Sequence, residues 1–314
     1  MLALALVTIN PAFAQSDYPN RTVRIVVATT PGGGSDLVAR LVAPALSERW
    51  GKQVVVENRA GAGTAIGNEL VAKSPPDGYT LLMGLSTLAI NPAIVAKVPY
   101  DAVRDFAPIT QAVFVPHLMI VHPSLPVKSV QEMIAFARAR PGQILFASAG
   151  RGTNQHLAVE LFSAMAQISL LHIPYKGTSP AIVDLIAGQT AIMAPSMISA
   201  LPHVRVGRLR ALGVTSAHRV TGAPDIPAIA EAGLPGYEAV QWIGLLAPSG
   251  TPREIVARLH KETIAVLRTP ESAKRLASEG AEVVAGSPEE FAALIKLEIV
   301  KWGKVAKAAG IRPE

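Results

Sequence analysis

The sequence predicts an α/β protein built from two lobes, and three observations support this fold class. Half of the 314 residues are hydrophobic but only 5% are aromatic, which favours an aliphatic interior. The 25 glycines and 25 prolines indicate many tight turns between short elements. β-Branched segments are repeatedly followed by a glycine-containing loop and an amphipathic helix, the order that builds parallel sheets.

The first 14 residues predict a secretory signal peptide. They carry no charge, are apolar from Leu2 to Ile9, and end in Ala12-Phe13-Ala14, a small-x-small cleavage pattern. We expect cleavage after Ala14. The basic residues that normally precede such an apolar run are missing, which predicts that Met1 lies inside a longer signal. No later stretch reaches the ~18 uninterrupted apolar residues that span a bilayer, so we expect a soluble monomer outside the inner membrane.

The mature chain opens with a strand, a glycine loop and a helix. Residues 22–30 are rich in β-branched side chains, Pro31-Gly32-Gly33-Gly34 forms the loop, and residues 36–50 carry apolar side chains at helical spacing. The unit recurs as a strand over 53–57, a helix over 64–72 and a strand over 80–85. This alternation predicts a parallel sheet for the first lobe.

A second series of elements starts near Met119. It comprises helices over 130–138, 154–165 and 180–187, strands over 144–148, 170–175 and 209–215, and later a strand over 242–247 followed by two or three C-terminal helices. Two extended apolar segments, 112–121 and 242–247, bracket the series. They predict two hinge crossovers with a ligand cleft, dividing the chain into lobe 1 (15–118 plus 245–314) and lobe 2 (119–244).

Several functional classes are excluded or disfavoured. The 29 Lys and Arg against 23 Asp and Glu give a net charge of +6, but the basic residues are scattered, which predicts no nucleic-acid partner. There is no cysteine, so thiol catalysis, disulfides and Cys-based metal sites are excluded. The seven histidines show no HExxH pattern, and we predict no metal site. The glycines of 61–67 are a weak dinucleotide fingerprint, read as a helix-start turn, and no cofactor is predicted.

The loop at Pro31-Gly32-Gly33-Gly34-Ser35-Asp36 is a candidate anion cradle. Backbone N–H groups at the start of a helix attract an anion, and glycine lets the anion approach closely. The loop lacks the Gly-Lys-Ser/Thr ending of a nucleotide-binding loop. Ser35 or Asp36 is expected to cap the helix, which keeps the Asp36 charge away from the anion.

Lobe 2 contains two comparable loops, 148–153 and 175–179, each rich in glycine and hydroxyl residues before a helix. Three such loops facing a cleft predict a site for an anion with more than one charged end. Arg151 is the one cation within 148–153, so it is predicted to meet a second carboxylate. The alternative, a solvated charge at the rim, stays open.

A hydrolase is a weaker hypothesis. It would use Ser148 with His156, but Ser148 lacks the Gly-x-Ser-x-Gly elbow and His156 has no obvious acid partner. His117 and His172 lie in apolar segments and are expected to be core or hinge residues.

Spaced motifs over essentially the whole mature chain resemble the Bug family, also called TctC. The motifs include Pro31-Gly32-Gly33 with Asp36 and Arg40, Glu57-Asn58-Arg59-Ala60-Gly61-Ala62-Gly63, Pro76-Asp77-Gly78-Tyr79, Pro174-Tyr175-Lys176-Gly177, Pro224-Asp225-Ile226-Pro227 and Ala232-Gly233-Leu234-Pro235-Gly236. The resemblance implies a type II periplasmic-binding-protein fold. It also implies a non-enzymatic solute receptor that delivers a carboxylate to a two-subunit membrane permease.

The resemblance further implies which residues meet the ligand, mainly through backbone N–H groups and hydroxyls. Carried over to this chain, they are Gly33, Gly34, Ser35, Ser86, Thr87, Ser148, Gly152, Thr153 and His156, with Tyr175 and Lys176 at the rim. Three positions, Thr29, Ala191 and Ala194, depart from the family pattern and leave the ligand's identity open. Two other functions also stay open: a periplasmic serine hydrolase, and a partner that reports ligand to a membrane sensor kinase.

Overall fold

The computed structural model describes residues 18–278 and 280–313, and the predicted signal peptide lies outside these residues. Two mixed sheets organise the chain. The first contains β1 (Val23–Val27), β2 (Val54–Asn58), β3 (Thr80–Leu85), β4 (Phe106–Val115), β10 (Gln241–Pro248) and β11 (Glu282–Val283). The second contains β5 (Leu118–Val121), β6 (Leu145–Ser148), β7 (Leu171–Pro174), β8 (Ile192–Met193) and β9 (Arg210–Val214).

Ten α-helices of the described residues cover the two sheets. They are α1 (Gly34–Trp50), α2 (Ala65–Ala72), α3 (Thr87–Ile94), α4 (Val130–Arg138), α5 (Asn154–Ala166), α6 (Thr178–Ile186), α7 (Met197–Arg205), α8 (Arg253–Leu267), α9 (Pro270–Ser278) and α10 (Pro288–Ala308). In this part of the chain, no helix combines the length and apolar character needed to cross a membrane.

Strand order explains how each lobe is assembled. The first sheet runs β11-β4-β10-β3-β1-β2, with β1, β2 and β3 parallel and β10 antiparallel between β3 and β4. The second runs β7-β6-β8-β5-β9, with β6 parallel to β7 and β8, and β5 antiparallel to its neighbours. The α/β prediction is confirmed, and the late strand β10 lies at the centre of the first sheet.

The chain passes between the sheets at two places. Only Pro116 and His117 separate β4 from β5, and the return lies between β9 and β10. The two passages are hydrogen-bonded together, because Thr215 donates its N–H to the His117 carbonyl (2.9 Å) and Ala239 donates to the Thr215 carbonyl (2.9 Å). The first predicted crossover, 112–121, includes Pro116 and His117, whereas the second, 242–247, lies within β10 and not in the return passage that precedes it.

Helix α10 connects the lobes a third time. Phe291 and Ile295, in its first half, pack in a core cluster of the first lobe. Trp302 and Val305, in its second half, pack in a cluster dominated by the second lobe. The sequence-based division placed all of 245–314 in lobe 1, whereas this helix, at about 1.5 Å per residue, is long enough to reach both lobes.

Candidate functional site

A cavity of about 340 Å³ lies between the lobes. The first lobe contributes Gly32–Gly34, Val115 and Ile243, and the second contributes Ser196, Ile198 and Ser199 from the start of α7. Cavities of about 440 and 520 Å³ also occur, but each is lined by residues of a single lobe; the larger of these two includes Thr178 and Ser179 of the predicted loop 175–179. We therefore take the interlobe cavity as the candidate site.

The glycine loop forms one wall of this cavity. Gly33 is the N-cap residue of α1 in an extended conformation (φ −78°, ψ 169°), and no side chain caps the helix. The expectation that Ser35 or Asp36 caps α1 is therefore wrong. Instead, the Ser35 hydroxyl pairs with that of Thr29 (3.0 Å). The start of this helix therefore lines the cavity, and no side-chain cap occupies its first backbone N–H groups.

Asp36 has a different role, because its carboxylate holds the glycine loop in place through hydrogen bonds. Its carboxylate accepts hydrogen bonds from the Gly32 N–H, the Arg40 Nε and the Asn58 Nδ2, each at 2.9 Å. Burial disfavours the charge, but these three donors, Arg40 foremost, outweigh it and lower the pKa of Asp36. Asp36 is thus ionised, and its hydrogen bonds tie the glycine loop to α1 and to the end of β2.

Ser86 and Thr87 lie at the end of β3, where the sequence placed them. Ser86 is fully buried, and its Oγ accepts the Trp242 N–H (2.9 Å), which joins β3 to β10. The Thr87 hydroxyl pairs with that of Thr64 (2.8 Å). The Ser86 hydroxyl therefore helps to hold β3 against β10, and its contact with a ligand stays a prediction.

The loop after β6 is held by its own hydrogen bonds. Ser148 is fully buried, and its Oγ lies 2.7 Å from Nε2 of His172 and accepts the Gly150 N–H (3.1 Å). His156 instead accepts the Gly152 N–H at Nδ1 (3.0 Å). The hydrolase hypothesis paired Ser148 with His156, and that pairing is wrong. The Gly152 N–H, predicted to meet the ligand, is likewise already used.

His156 and His172 stack face to face beneath this loop. Their ring centroids are 3.8 Å apart at 14°, and Phe146 stacks on His172 at 4.7 Å. Burial, aided by the neighbouring His156 and by Arg151, lowers the pKa of His172 to about 3. His156 also has an acid neighbour that the sequence did not reveal, Glu160, at 3.4 Å. His172 is therefore neutral near pH 7, and we assign the pair to supporting the loop.

The remaining predicted residues of lobe 2 separate into structural and exposed groups. Thr153 caps α5 by accepting the His156 N–H (3.4 Å) and donates to the Gly150 carbonyl (2.8 Å). The Tyr175 hydroxyl donates to Asp184 (2.7 Å), and burial together with that carboxylate raises the pKa of Tyr175 to about 12. Arg151 and Lys176 are exposed.

The residues on the α7 side of the cavity were not predicted from the sequence. Ser196 is the N-cap of α7, its hydroxyl pairs with that of Ser199 (3.0 Å), and both residues line the cavity with Gln241. A serine three residues before another serine, following Pro195, is a detectable helix-start signal. Among the described residues, no group of three or more His, Asp or Glu is placed to hold a metal ion.

Comparison with known proteins identifies the family. Residues 38–311 match the model of the tripartite tricarboxylate transporter family receptor, TctC. The chain is 37% identical over 297 residues to protein BugT of Bordetella pertussis, covering 94% of this chain and 91% of BugT.

Solved structures agree with this assignment. R. palustris Rpa4515 with adipate is 38% identical, with a TM-score of 0.80 over 95% of this chain and all of the other. MatC from Rhodopseudomonas palustris with bound malate is 32% identical, with a TM-score of 0.75 over 92% of this chain and 99% of the other. The two-lobed periplasmic-binding-protein fold and the predicted Bug (TctC) resemblance are both confirmed, and this chain belongs to the TctC/Bug family of non-catalytic solute receptors for tripartite tricarboxylate transporters.

Proposed function

We propose that this chain works in the periplasm, where it binds a small carboxylate between its lobes and delivers it to a two-subunit inner-membrane permease. The observation that carries the proposal is the interlobe cavity, in which the uncapped start of α1 at Gly33 faces the second lobe. A helix N-terminus with exposed N–H groups favours an anion without a cationic side chain. The adipate and malate held by two relatives are carboxylates of the size such a cavity accepts.

The direct test is a thermal-shift screen of the mature chain, starting at Gln15, against mono-, di- and tricarboxylates. A ligand present at 100 times its dissociation constant adds about 2.7 kcal/mol to the free energy of unfolding, a readily measured shift. Neutral amides of the same acids serve as matched controls, because they keep the shape and lose the charge. Stabilisation by the amides as strong as by the acids would contradict carboxylate recognition.

Arg151 does not line the interlobe cavity, and we propose that it meets the second carboxylate of a ligand that extends beyond the cavity. It is exposed in the loop after β6, and its charge contributes to the lowered pKa of His172. A charge-assisted hydrogen bond in a closed cleft contributes about 1.5–3 kcal/mol, whereas an exposed pair contributes ~1 kcal/mol or less. We predict that Arg151→Ala weakens a dicarboxylate at least ~10-fold, equivalent to ~1.4 kcal/mol, and leaves the matched monocarboxylate nearly unchanged.

Isothermal titration of both ligands with the variant checks this prediction. Arg208→Ala, which removes another exposed arginine of the second lobe, is the control and should bind both ligands like the parent chain. Equal losses for the two ligands, or no loss for either, would show that Arg151 does not contact the second charge.

A further inference from the structure

The interlobe cavity is mainly apolar beyond the glycine loop. Leu37 and Val38 of α1, Val115 of β4 and Ile243 of β10 line it from the first lobe, and Ile198 lines it from the second. None of the described residues that line it carries a charge. A ligand that enters the cavity with its carboxylate at the glycine loop therefore places the rest of its body against hydrocarbon.

Ile198 is a large apolar side chain of the cavity lining that is partly exposed, unlike the apolar side chains of the core. Its neighbour Met197 is buried in a core cluster of the second lobe, whereas Ile198 is 44% exposed. Ile198 reaches towards the first lobe, since a β-carbon added to Gly280 would lie 3.1 Å from its Cγ1. A large apolar side chain in the first turn of α7 thus faces the opposite lobe across the site.

Three polar side chains line the cavity: Ser196 and Ser199 at the start of α7, and Gln241 at the start of β10. The hydroxyls of Ser196 and Ser199 are 3.0 Å apart and hydrogen-bond to one another. A ligand hydroxyl placed against Ile198 and Leu37 would lose its hydrogen bonds to water, and these aliphatic side chains replace none of them. A methylene group at the same place gains by leaving water.

We propose that Ile198 and the partly buried Leu37, from opposite lobes, contact the hydrocarbon segment of the ligand and select carboxylates with an unsubstituted methylene chain over hydroxylated ones. This inference rests on the proposed carboxylate-binding function and names its substrate class. It predicts that affinity rises with chain length. It also predicts that a hydroxyl on the chain lowers affinity.

The test measures affinity by calorimetry for succinate, glutarate, adipate and malate. For the parent chain we expect the dissociation constant to fall ~4-fold per added methylene, the equivalent of ~0.8 kcal/mol, and malate to bind at least ~5-fold more weakly than succinate. In Ile198→Ser, the dissociation constant should fall by less than ~2-fold per added methylene. Ile198→Val, which keeps most of the apolar contact, should give an intermediate value.

Val206→Ser is the matched control. Val206 follows the last residue of α7, is 68% exposed, and is absent from the cavity lining. In Val206→Ser, the affinity should depend on the length of the ligand in the same way as in the parent chain. Because the readout is a slope across one ligand series, a general loss of stability or affinity in a variant does not imitate the expected effect.

Two results would overturn the inference while leaving the proposed function intact. In the first, the parent chain binds carboxylates with a dissociation constant that does not change with ligand chain length. In the second, the dissociation constant changes by the same factor per methylene in Ile198→Ser and in Val206→Ser. If no carboxylate binds the parent chain at millimolar concentration, the proposed function fails, and the inference fails with it.

Discussion

Gly33 and Gly152 both belong to loops predicted to meet the ligand, but their backbone conformations differ. Gly33 is extended, and a β-carbon there would lie 3.6 Å from the Thr29 Oγ1, an ordinary contact. Gly152 has a φ of +75°, and a β-carbon there would lie 2.4 Å from Cδ1 of Ile94 in the first lobe. A side chain is therefore tolerated by the fold at Gly33, whereas Gly152 is required by a left-handed turn and close packing.

We predict that Gly33→Val abolishes ligand-induced stabilisation. The branched side chain would occupy the place where a carboxylate approaches the start of α1. The unliganded chain should keep its free energy of unfolding within ~0.5 kcal/mol, because a β-carbon at Gly33 meets its nearest atoms only at ordinary contact distance, 3.6–3.7 Å. Scanning calorimetry with and without the best ligand of the screen measures both quantities.

Gly152→Ala is the contrasting variant for this prediction. It should lower the free energy of unfolding of the unliganded chain by about 1–3 kcal/mol, through left-handed strain and overpacking. If Gly33→Val lost as much unliganded stability as Gly152→Ala, Gly33 would be a turn former and not a ligand residue.

For single residues, the sequence predicted the positions of the loops better than it predicted the hydrogen-bond partners of the atoms in them. Gly33 and Gly34 line the interlobe cavity, and Thr153 caps its helix, as their residue types suggested. The Ser86 hydroxyl and the Gly152 N–H were assigned to the ligand but are bonded within the protein. The partner of Ser86 is 156 residues away, a contact that no local pattern contains.

Among the secondary-structure elements, the helices with clear start signals were the most predictable. Helix α4 has the predicted bounds, and α5 starts at the predicted residue, because Ser129 and Thr153 cap them. Helices α3 and α7 were missed. Each contains an internal proline, Pro92 or Pro202, which argues against a helix when only the sequence is known. Strand β8 has two residues and gives no periodic signal.

Helix α10 depends on a buried polar contact where it meets the second lobe. The Trp302 Nε1 donates to the Glu298 carboxylate (2.6 Å), which is 5% exposed and also pairs with Lys301. We predict that Trp302→Phe lowers the free energy of unfolding by about 1–3 kcal/mol, because it removes one donor from a buried charge. Urea unfolding of the variant and the parent chain measures the difference.

Leu297→Ala is the control on the same helix. Leu297 is 69% exposed, so its loss should change the free energy of unfolding by no more than ~0.5 kcal/mol. A Trp302→Phe variant as stable as Leu297→Ala would show that the Nε1–H donor makes no measurable contribution to the free energy of unfolding.

The lowered pKa values of two histidines predict that the whole molecule loses stability in acid. Burial lowers the pKa of His117 to about 4, and burial with His156 and Arg151 lowers that of His172 to about 3. The unfolded chain binds these protons below its ordinary pKa of 6.5, whereas the folded chain does not until the lowered values are reached. The free energy of unfolding should therefore fall as the pH drops from about 6.5 towards 4.

We predict that His117 alone accounts for about 2–3 kcal/mol of this loss between pH 6.5 and 4.5. Its side chain is 2% exposed, and its Nδ1 has no hydrogen-bond partner among the described residues. His117→Phe keeps a ring and removes the titration, so its stability should vary less with pH. Urea unfolding at pH 7 and pH 4.5 tests this, and equal pH dependence in both chains would contradict it.

The two-lobed organisation was predictable because the sequence shows two series of alternating elements and two apolar segments between them. The position of α10 was not, because an amphipathic pattern shows that a helix is packed but not against which lobe. The same holds for α7, whose first turn faces the interlobe cavity. The surfaces that face each other across the interlobe cavity depend on how the two lobes are arranged, and local sequence patterns do not contain that arrangement.

The central position of β10 in the first sheet has a consequence for how the chain folds as it is made. Strands β1 to β3 are synthesised first, but β10 ends at Pro248, after every strand of the second sheet. Until about four-fifths of the chain (248 of 314 residues) exists, β3 lacks its neighbour on one side. Pairing across so long a loop is slow. The lobe that begins at the N-terminus is therefore the last to be completed, and a nascent chain carries an unfinished sheet edge until late in its synthesis.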